Sequence, residues 1–379
     1  MLIYLIMTAV VIGTSLLIKN HEKTDTLEQS GTVGKLYKSR ESFLNCICLL
    51  IIFTALFLVS ACRLNVGNDY AKYVEFMHLI YCKSYVPTEM GFNALTYLIY
   101  QYFGYENYLV VFAVIAFATI LIFMAAMWQQ SEKFTYTFIM FMLLGYYFQS
   151  ISTVRYYLAL AIALYSVKFV IRRDWPRFVL LILLGATFHK SILVVLVLYI
   201  LAIITWKKWM YFAGGCLCLS FLLLQDMYLK LVVILYPSYE DTEYLTGGTS
   251  YINIARCAAI LILSLVCYNS QIKNSRRGRF FFHCNILALV LYVFCSFLPI
   301  ISRIGYFLTI THILFVPMLL CNIPDQKRWK KPVQILVLMA CIAYFLLYMR
   351  GAANDGIRIL PYQTFMFHDM PPILSEKGY

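Results

Sequence analysis

The sequence predicts an all-α protein, a polytopic bundle of transmembrane helices, and three observations carry that expectation. Of 379 residues, 62% are apolar and only 13% are charged, whereas soluble chains run near 45–50% and about 25%. Mean hydropathy is +0.76, and the apolar residues fall in runs close to the roughly 20 residues that cross a hydrocarbon core. No stretch is long and polar enough for a separate soluble domain, so residues 1–379 read as one polytopic membrane domain. Apolar surface in this excess cannot be hidden in a core and needs lipid. A soluble enzyme, a nucleic-acid-binding module and a disordered scaffold are thereby excluded. The net charge of +13 fits a membrane protein whose Lys and Arg sit in cytoplasmic loops against anionic headgroups.

In chain order, the candidate spans are 1–18, 42–61, 107–127, 134–149, 152–170, 209–224, 251–270, 280–300, 303–321 and 332–349. The first lacks a basic leading region and a small-residue cleavage site, and reads as a span, not a signal peptide. Residues 178–205 are apolar but interrupted by Gly185, His189, Lys190 and Ser191. The basic loops decide how that piece runs. Loops 19–41, 171–177 (Arg172, Arg173, Arg177), 206–208 (Lys207, Lys208), 271–279 and 327–331 should all be cytoplasmic. Both 171–177 and 206–208 lie inside only if 178–205 crosses an even number of times. That segment is therefore a broken or re-entrant helical pair hinged at Phe188-His189-Lys190-Ser191, beside about ten full spans of the usual length. Both termini then lie outside, and most acidic residues fall on the outer side. The outer polar segments are 62–106, 225–250 and the tail 350–379.

The twelve cysteines lie mostly in apolar runs, as in Cys46-Ile-Cys48 and Cys216-Leu-Cys218, and read as small core residues. Only Cys62 and Cys82 share a loop, and no bridge is predicted. Of the 31 tyrosines, many sit near span ends, where amphipathic rings settle at the interface; some of the rest are candidates to stack on sugar rings. There is no fixed-period repeat, no low-complexity tract and no phosphate-binding glycine loop, so ATP-driven transport has no support.

Charge at the edge of a membrane is costly, and such residues are functional candidates. Arg63 opens the outer loop in a run holding Gly67, Asn68, Asp69 and Tyr73; Glu89 lies further along, before an amphipathic stretch at 92–103. Arg155 opens the fifth span, His189 sits at the hairpin break, and Arg303 opens the span 303–321. The parity argument puts all of them on the outer face. Singly, each has an ordinary reading: a snorkelling arginine, a loop acid, a hydrogen-bonded interior histidine. Together they suit a phosphate or pyrophosphate gripped by Arg63, Arg155 and Arg303. A hydroxyl proton would pass to His189, or to Asp69 or Glu89. Short half-helices add dipoles aimed at a ligand. There is no D-x-D motif and no histidine–carboxylate cluster, so neither metal nor cofactor is expected.

Arg63-x-x-x-Gly67-x-Asp69-Tyr70 followed by Glu89-x-Gly91-Phe92, then Arg155 with Leu158, Ala159, Ala161 and Ile162, then Phe188-His189-x-Ser191, resembles the EpsG family in order and spacing over about residues 40–205. Arg303-Ile-Gly-Tyr306 and PYQTF at 361–365 are compatible with its C-terminal half. Tyr156, after Arg155, departs from the glutamine expected in many relatives. The resemblance implies a relative of the Wzy-type polymerases of bacterial exopolysaccharide, capsule and O-antigen. Such an enzyme is a metal-independent glycosyltransferase of the cytoplasmic membrane, working at its outer face. The donor would be the glycan growing on undecaprenyl pyrophosphate, and the acceptor one lipid-linked repeat unit. A chain-length regulator protein is the implied partner, with no nucleic acid, and Tyr70, Tyr73 and Tyr306 become the candidate sugar-binding rings.

Three other classes share parts of this chemistry. A lipid-linked oligosaccharide flippase needs cations deep along its helices, whereas these cluster at outer ends. A polytopic O-acyltransferase draws on cytoplasmic acyl donors and would face its His and Arg inward. A ligase that moves finished glycan to another acceptor uses the same chemistry and is the nearest alternative.

Overall fold

The computed structural model describes residues 1–19, 40–104, 107–235, 248–298 and 301–368. Expectations for most of the loop 19–41, for 236–247 and for the tail beyond 368 lie outside the described residues. The described residues are mainly helical, and the chain-order helices are α1 (Leu2–Leu16), α2 (Arg40–Ala61), α3 (Tyr70–Tyr81), α4 (Met90–Phe103), α5 (Tyr108–Gln130), α6 (Phe134–Leu143) and α7 (Tyr146–Ser152). They continue with α8 (Val154–Arg172), α9 (Trp175–Ala186), α10 (Val194–Ile203), α11 (Lys208–Leu223), α12 (Gln225–Leu235) and α13 (Tyr251–Val266). The last four are α14 (Arg276–Phe294), α15 (Ile301–Thr309), α16 (His312–Cys321) and α17 (Lys330–Arg350).

Six described segments are long and apolar enough to cross a membrane: α2, α5, α8, α14, Ile301–Cys321 and α17. The pair α6–α7, bent by 48°, makes a seventh if read as one span. Gly145 forms the bend, in the left-handed region at φ 77 that other residues rarely adopt. The expected spans at 1–18, 209–224 and 251–270 are helices of 15, 16 and 16 residues, shorter than a full crossing. The piece 178–205 is two short helices, α9 and α10, interrupted at Thr187–His189 and joined by a 3₁₀ turn over Lys190–Leu193. Only 22% of the α2 window and 17% of the α17 window is covered by protein, although both are strongly apolar. Helices of that kind need lipid around them.

Two compact units divide the chain. Unit 1 takes residues 1–165, 187–189 and 325–379, and unit 2 takes 166–186 and 190–324. In unit 1, α2 packs along α5, α1 lies on α2 and α6, and α3 pairs with α4. Aromatic rings fill the seams: Tyr4 meets Phe148 and Tyr362 edge-on, each at 5.4 Å. In unit 2, α14 is the central helix, flanked by α10, α13 and α15. Its polar side chains satisfy backbone groups inside the bundle, with His283 Nδ1 at 2.8 Å from Ala202 O and Asn285 Nδ2 donating to Cys257 O at 3.0 Å. Interior polar groups need such partners where water is excluded. All twelve cysteines are free thiols, Cys62 and Cys82 among them.

Candidate active site

Unit 1 gathers Arg63, Asp69, Tyr70, Tyr73, Glu89, Arg155 and His189 from segments far apart in sequence. The two glycines of the first motifs explain how. Gly67, at φ 111, lies so close to the end of α7 that a Cβ there would stand 2.9 Å from Ile151 O. The next residue fixes the contact, Asn68 N donating to Ser152 Oγ at 3.0 Å. The 63–70 loop is thereby docked three residues before Arg155. Gly91 does the same at the hairpin break: its N–H donates to Thr187 O at 2.8 Å, and a Cβ would lie 2.8 Å from that oxygen. Glu89 and His189 are thus brought onto one docking point.

Arg155 is the second residue of α8, and Glu89 caps the start of α4. A helix N-terminus carries partial positive charge, so it favours the carboxylate of Glu89 and disfavours the guanidinium of Arg155. The two form an ion pair with side chains only 17% and 13% exposed. Arg155 also lies over the rings of Tyr73, at 5.4 Å, and Phe92, at 5.2 Å. Thr88 and Asn93, hydrogen-bonded side chain to side chain at 2.5 Å, hold the first turn of α4 in place. The result is a guanidinium held among aromatic rings, with a carboxylate as its present partner. An incoming anion with two oxygens can exchange with it.

His189 meets the ring of Tyr156 edge-on at 5.4 Å. Tyr156, the residue after Arg155, is therefore the ring against which the histidine rests. Asp69 stands at the start of α3, half-buried, and raises the Tyr73 phenol pKa, although burial is the larger cause and Arg155 opposes both.

Arg63, Tyr70 and Tyr73 are enclosed. Arg63 is 1% exposed, donates to Ser60 O at 2.6 Å, and lies 4.8 Å over Phe112. Burial lowers its pKa, and the phenols of Tyr70, Tyr4, Tyr147 and Tyr362 oppose that shift. Tyr70 stacks on Phe112 at 4.8 Å, and Tyr73 lies beneath Arg155. In unit 2, Arg303 is exposed on the first turn of α15 and Tyr306 is half-buried one turn on.

Sequence reasoning missed what holds the 62–67 loop. The tail returns to it: Leu64 N donates to Gln363 O at 2.9 Å, Gly67 N to Arg358 O at 2.8 Å, and Arg63 pairs with Thr364 as an isolated antiparallel bridge. Arg358 Nη2 donates to Asn65 Oδ1 at 2.5 Å and Tyr362 hydroxyl to Val59 O at 3.0 Å. The PYQTF stretch was the available signal; its partner was not legible. Phe92 beneath Arg155 was missed too, although the motif contains it. Among the described residues no cluster of His, Cys, Asp and Glu has metal-binding geometry.

Comparison with protein families matches the EpsG family over residues 46–364, which takes in every candidate residue above. Searches of curated proteins and of solved structures returned no match.

Proposed function

The chain belongs to the EpsG family, the family of Wzy-type polysaccharide polymerases, and from that premise we propose that it joins lipid-linked oligosaccharide repeat units into a polymer. The observation that carries the proposal is the convergence of Arg155, Glu89 and His189 in unit 1 through the two docking glycines. The work is done at the outer face of a bacterial cytoplasmic membrane, on glycan carried by undecaprenyl pyrophosphate. Support for that side comes from the basic loops 171–177, 206–208 and 271–279.

In the reaction, Arg155 exchanges Glu89 for the donor pyrophosphate and stabilises its charge as it leaves. A hydroxyl of the acceptor repeat unit attacks the anomeric carbon of the donor. The new glycosidic C–O bond forms, the anomeric C–O bond to pyrophosphate breaks, and undecaprenyl pyrophosphate departs. His189 takes the acceptor proton, a role worth about 10²–10⁴ in rate. Glu89, released from Arg155, and Asp69 hold sugar hydroxyls. Arg63, Tyr70 and Tyr73 act from within, Arg63 at the tail and Tyr73 under Arg155. Neither metal nor cofactor is called for, and a chain-length regulator is the partner protein this chemistry invites.

The test is a gel of surface glycan and lipid-linked intermediates after inactivating the gene, with wild-type and Arg155→Ala copies restored separately. Single repeat units without a ladder, in both the null and the mutant, are expected. Lipid-linked units held on the cytoplasmic face would make the chain a flippase. A full ladder that never reaches its final acceptor would make it a ligase.

A further inference from the structure

The tail returns to the end of α2 in fixed register. Tyr362 hydroxyl donates to Val59 O at 3.0 Å, Leu64 N to Gln363 O at 2.9 Å, and Phe365 N to Cys62 O at 3.3 Å. Beyond that contact the chain turns, with Met366 N donating to Thr364 Oγ1 at 3.4 Å and Phe367 N to Thr364 O at 3.2 Å. The turn carries apolar side chains outward: Phe365 is 42% exposed, Met366 60% and Phe367 83%. No charged residue lies between Pro361 and Phe367. Left in water, such a cluster is a liability.

The depth of the turn follows from α2. Its apolar window, Glu41–Ala61, is 21 residues long, or about 31 Å at about 1.5 Å per residue. That matches the roughly 30 Å of a hydrocarbon core, and no charge interrupts the chain between Glu41 and Arg63. Cys62 therefore stands at the edge of the hydrocarbon layer, and a turn hydrogen-bonded to it lies at the same level. The exposed face of α2 leads there as well. Ile47, Ile51 and Leu58 share one side of the helix, and Cys62 N donates to Leu58 O at 2.9 Å. Backbone near lipid must satisfy its own amides. Those of Phe365, Met366 and Phe367 are all satisfied within the protein, at Cys62 O and at the two oxygens of Thr364.

We propose that Phe365, Met366 and Phe367 form a lipid-inserted turn, whose partner is the acyl-chain boundary of the leaflet at this end of α2. Exposed apolar side chains held at that level bury themselves among the lipids. The turn anchors the tail, and the tail holds the 62–67 loop through Gln363 O and Arg358 O. The bilayer is thus part of what seats that loop. None of this depends on the polymerase reading.

The experiment uses the whole protein in phosphatidylcholine vesicles. Phe367→Trp adds one fluorophore to the five native tryptophans, and subtracting the wild-type spectrum isolates it. Bromine on the acyl chains near the headgroup end should quench the added emission by about half or more, bromine near the chain ends less, and aqueous iodide little. A second variant, Phe365→Ser with Phe367→Ser, removes the anchor without adding charge, and substitutions at exposed positions leave the bundle folded. Hydrogen exchange of the 62–67 segment, read by mass spectrometry, should then speed several-fold while α5 keeps its protection. Quenching by iodide and not by bromine would put the turn in water. Shielding from both would mean that protein covers it, either a second copy or the residues beyond 368. Either result overturns the proposal, and so does unchanged exchange at 62–67 in the double serine variant.

Discussion

Gly91→Ala puts the assembly of the site to its sharpest test, because it adds one methyl group and touches no charge. The new Cβ would stand 2.4 Å from Thr187 Oγ1 and 2.8 Å from Thr187 O, where ordinary contact begins at 3.4 Å, so even with the hydroxyl turned aside the α4 start and the hairpin break must part by about 0.6 Å (3.4 − 2.8). Overpacking of this kind costs about 1–3 kcal/mol, and the Gly91–Thr187 hydrogen bond is worth about 1 kcal/mol more. The catalytic consequence exceeds the loss of stability. A displacement of about 1 Å costs about 10²-fold in rate, so a shift a little over half that size should slow elongation about tenfold or more through the spacing of Glu89 and His189. The assay is ladder growth from lipid-linked repeat units in membrane vesicles, normalised to protein in the membrane, with thermal unfolding in detergent alongside. Wild-type elongation by Gly91→Ala at equal membrane level would show that the hairpin break and the α4 start need not be held together, and the role given to the convergence of Glu89 and His189 on one docking point would fall.

Four further outcomes follow from the same geometry. His189→Gln should lower elongation about 10²–10⁴-fold while leaving donor binding near wild type; a loss confined to KM would remove it as the base. If Glu89 acts by holding Arg155, a double-mutant cycle of Glu89→Ala and Arg155→Ala should show strong coupling in elongation rate, and simple additivity would separate the pair. Arg63→Met keeps the length of an enclosed side chain and removes its charge, so elongation is expected within about threefold of wild type, since buried ions often yield to apolar residues of similar size. A loss as deep as that of Arg155→Ala would give Arg63 a ligand. Burial lifts the Tyr362 phenol to about 12 from 10.0; because the folded value is the higher one, its contribution to stability is complete below pH 10 and fades as pH rises through about 12. Phenolate absorbance should lag behind that of exposed tyrosines over this window, and Tyr362→Phe should shrink the lag by one tyrosine's share.

Much of this was legible before the structure. Composition alone demands lipid, and the charge runs at 171–177 and 206–208 force the hairpin between them to be broken where His189 interrupts it. The motif residues Arg155, Glu89 and His189 stood out because charged or titratable groups are rare in such a chain. What sequence does not carry is direction. Arg63 and Arg155 look alike as arginines opening polar runs, yet one packs under a returning tail and the other lies at a helix start beside a carboxylate. Tyr70 and Tyr73 look like interface rings, and their neighbours Phe112 and Arg155 come from helices dozens of residues away. Span ends are less legible: α1, α11 and α13 are apolar but only 15, 16 and 16 residues long, because helix ends are set by local capping and by packing, which hydropathy does not report.

The 62–67 loop waits on a partner made much later. Gly67 and Asn65 are anchored by Arg358, and Leu64 by Gln363, nearly three hundred positions downstream. At roughly 5–20 residues per second, the ribosome needs about 15–60 s to travel that distance. During this time the segment bearing Asp69 has already left the translocon without the strap that fixes it. A chain that stalls or is cut before residue 358 therefore carries every candidate site residue while its 62–67 loop lacks this strap. Synthesis order acts as a built-in delay on the docking of that loop.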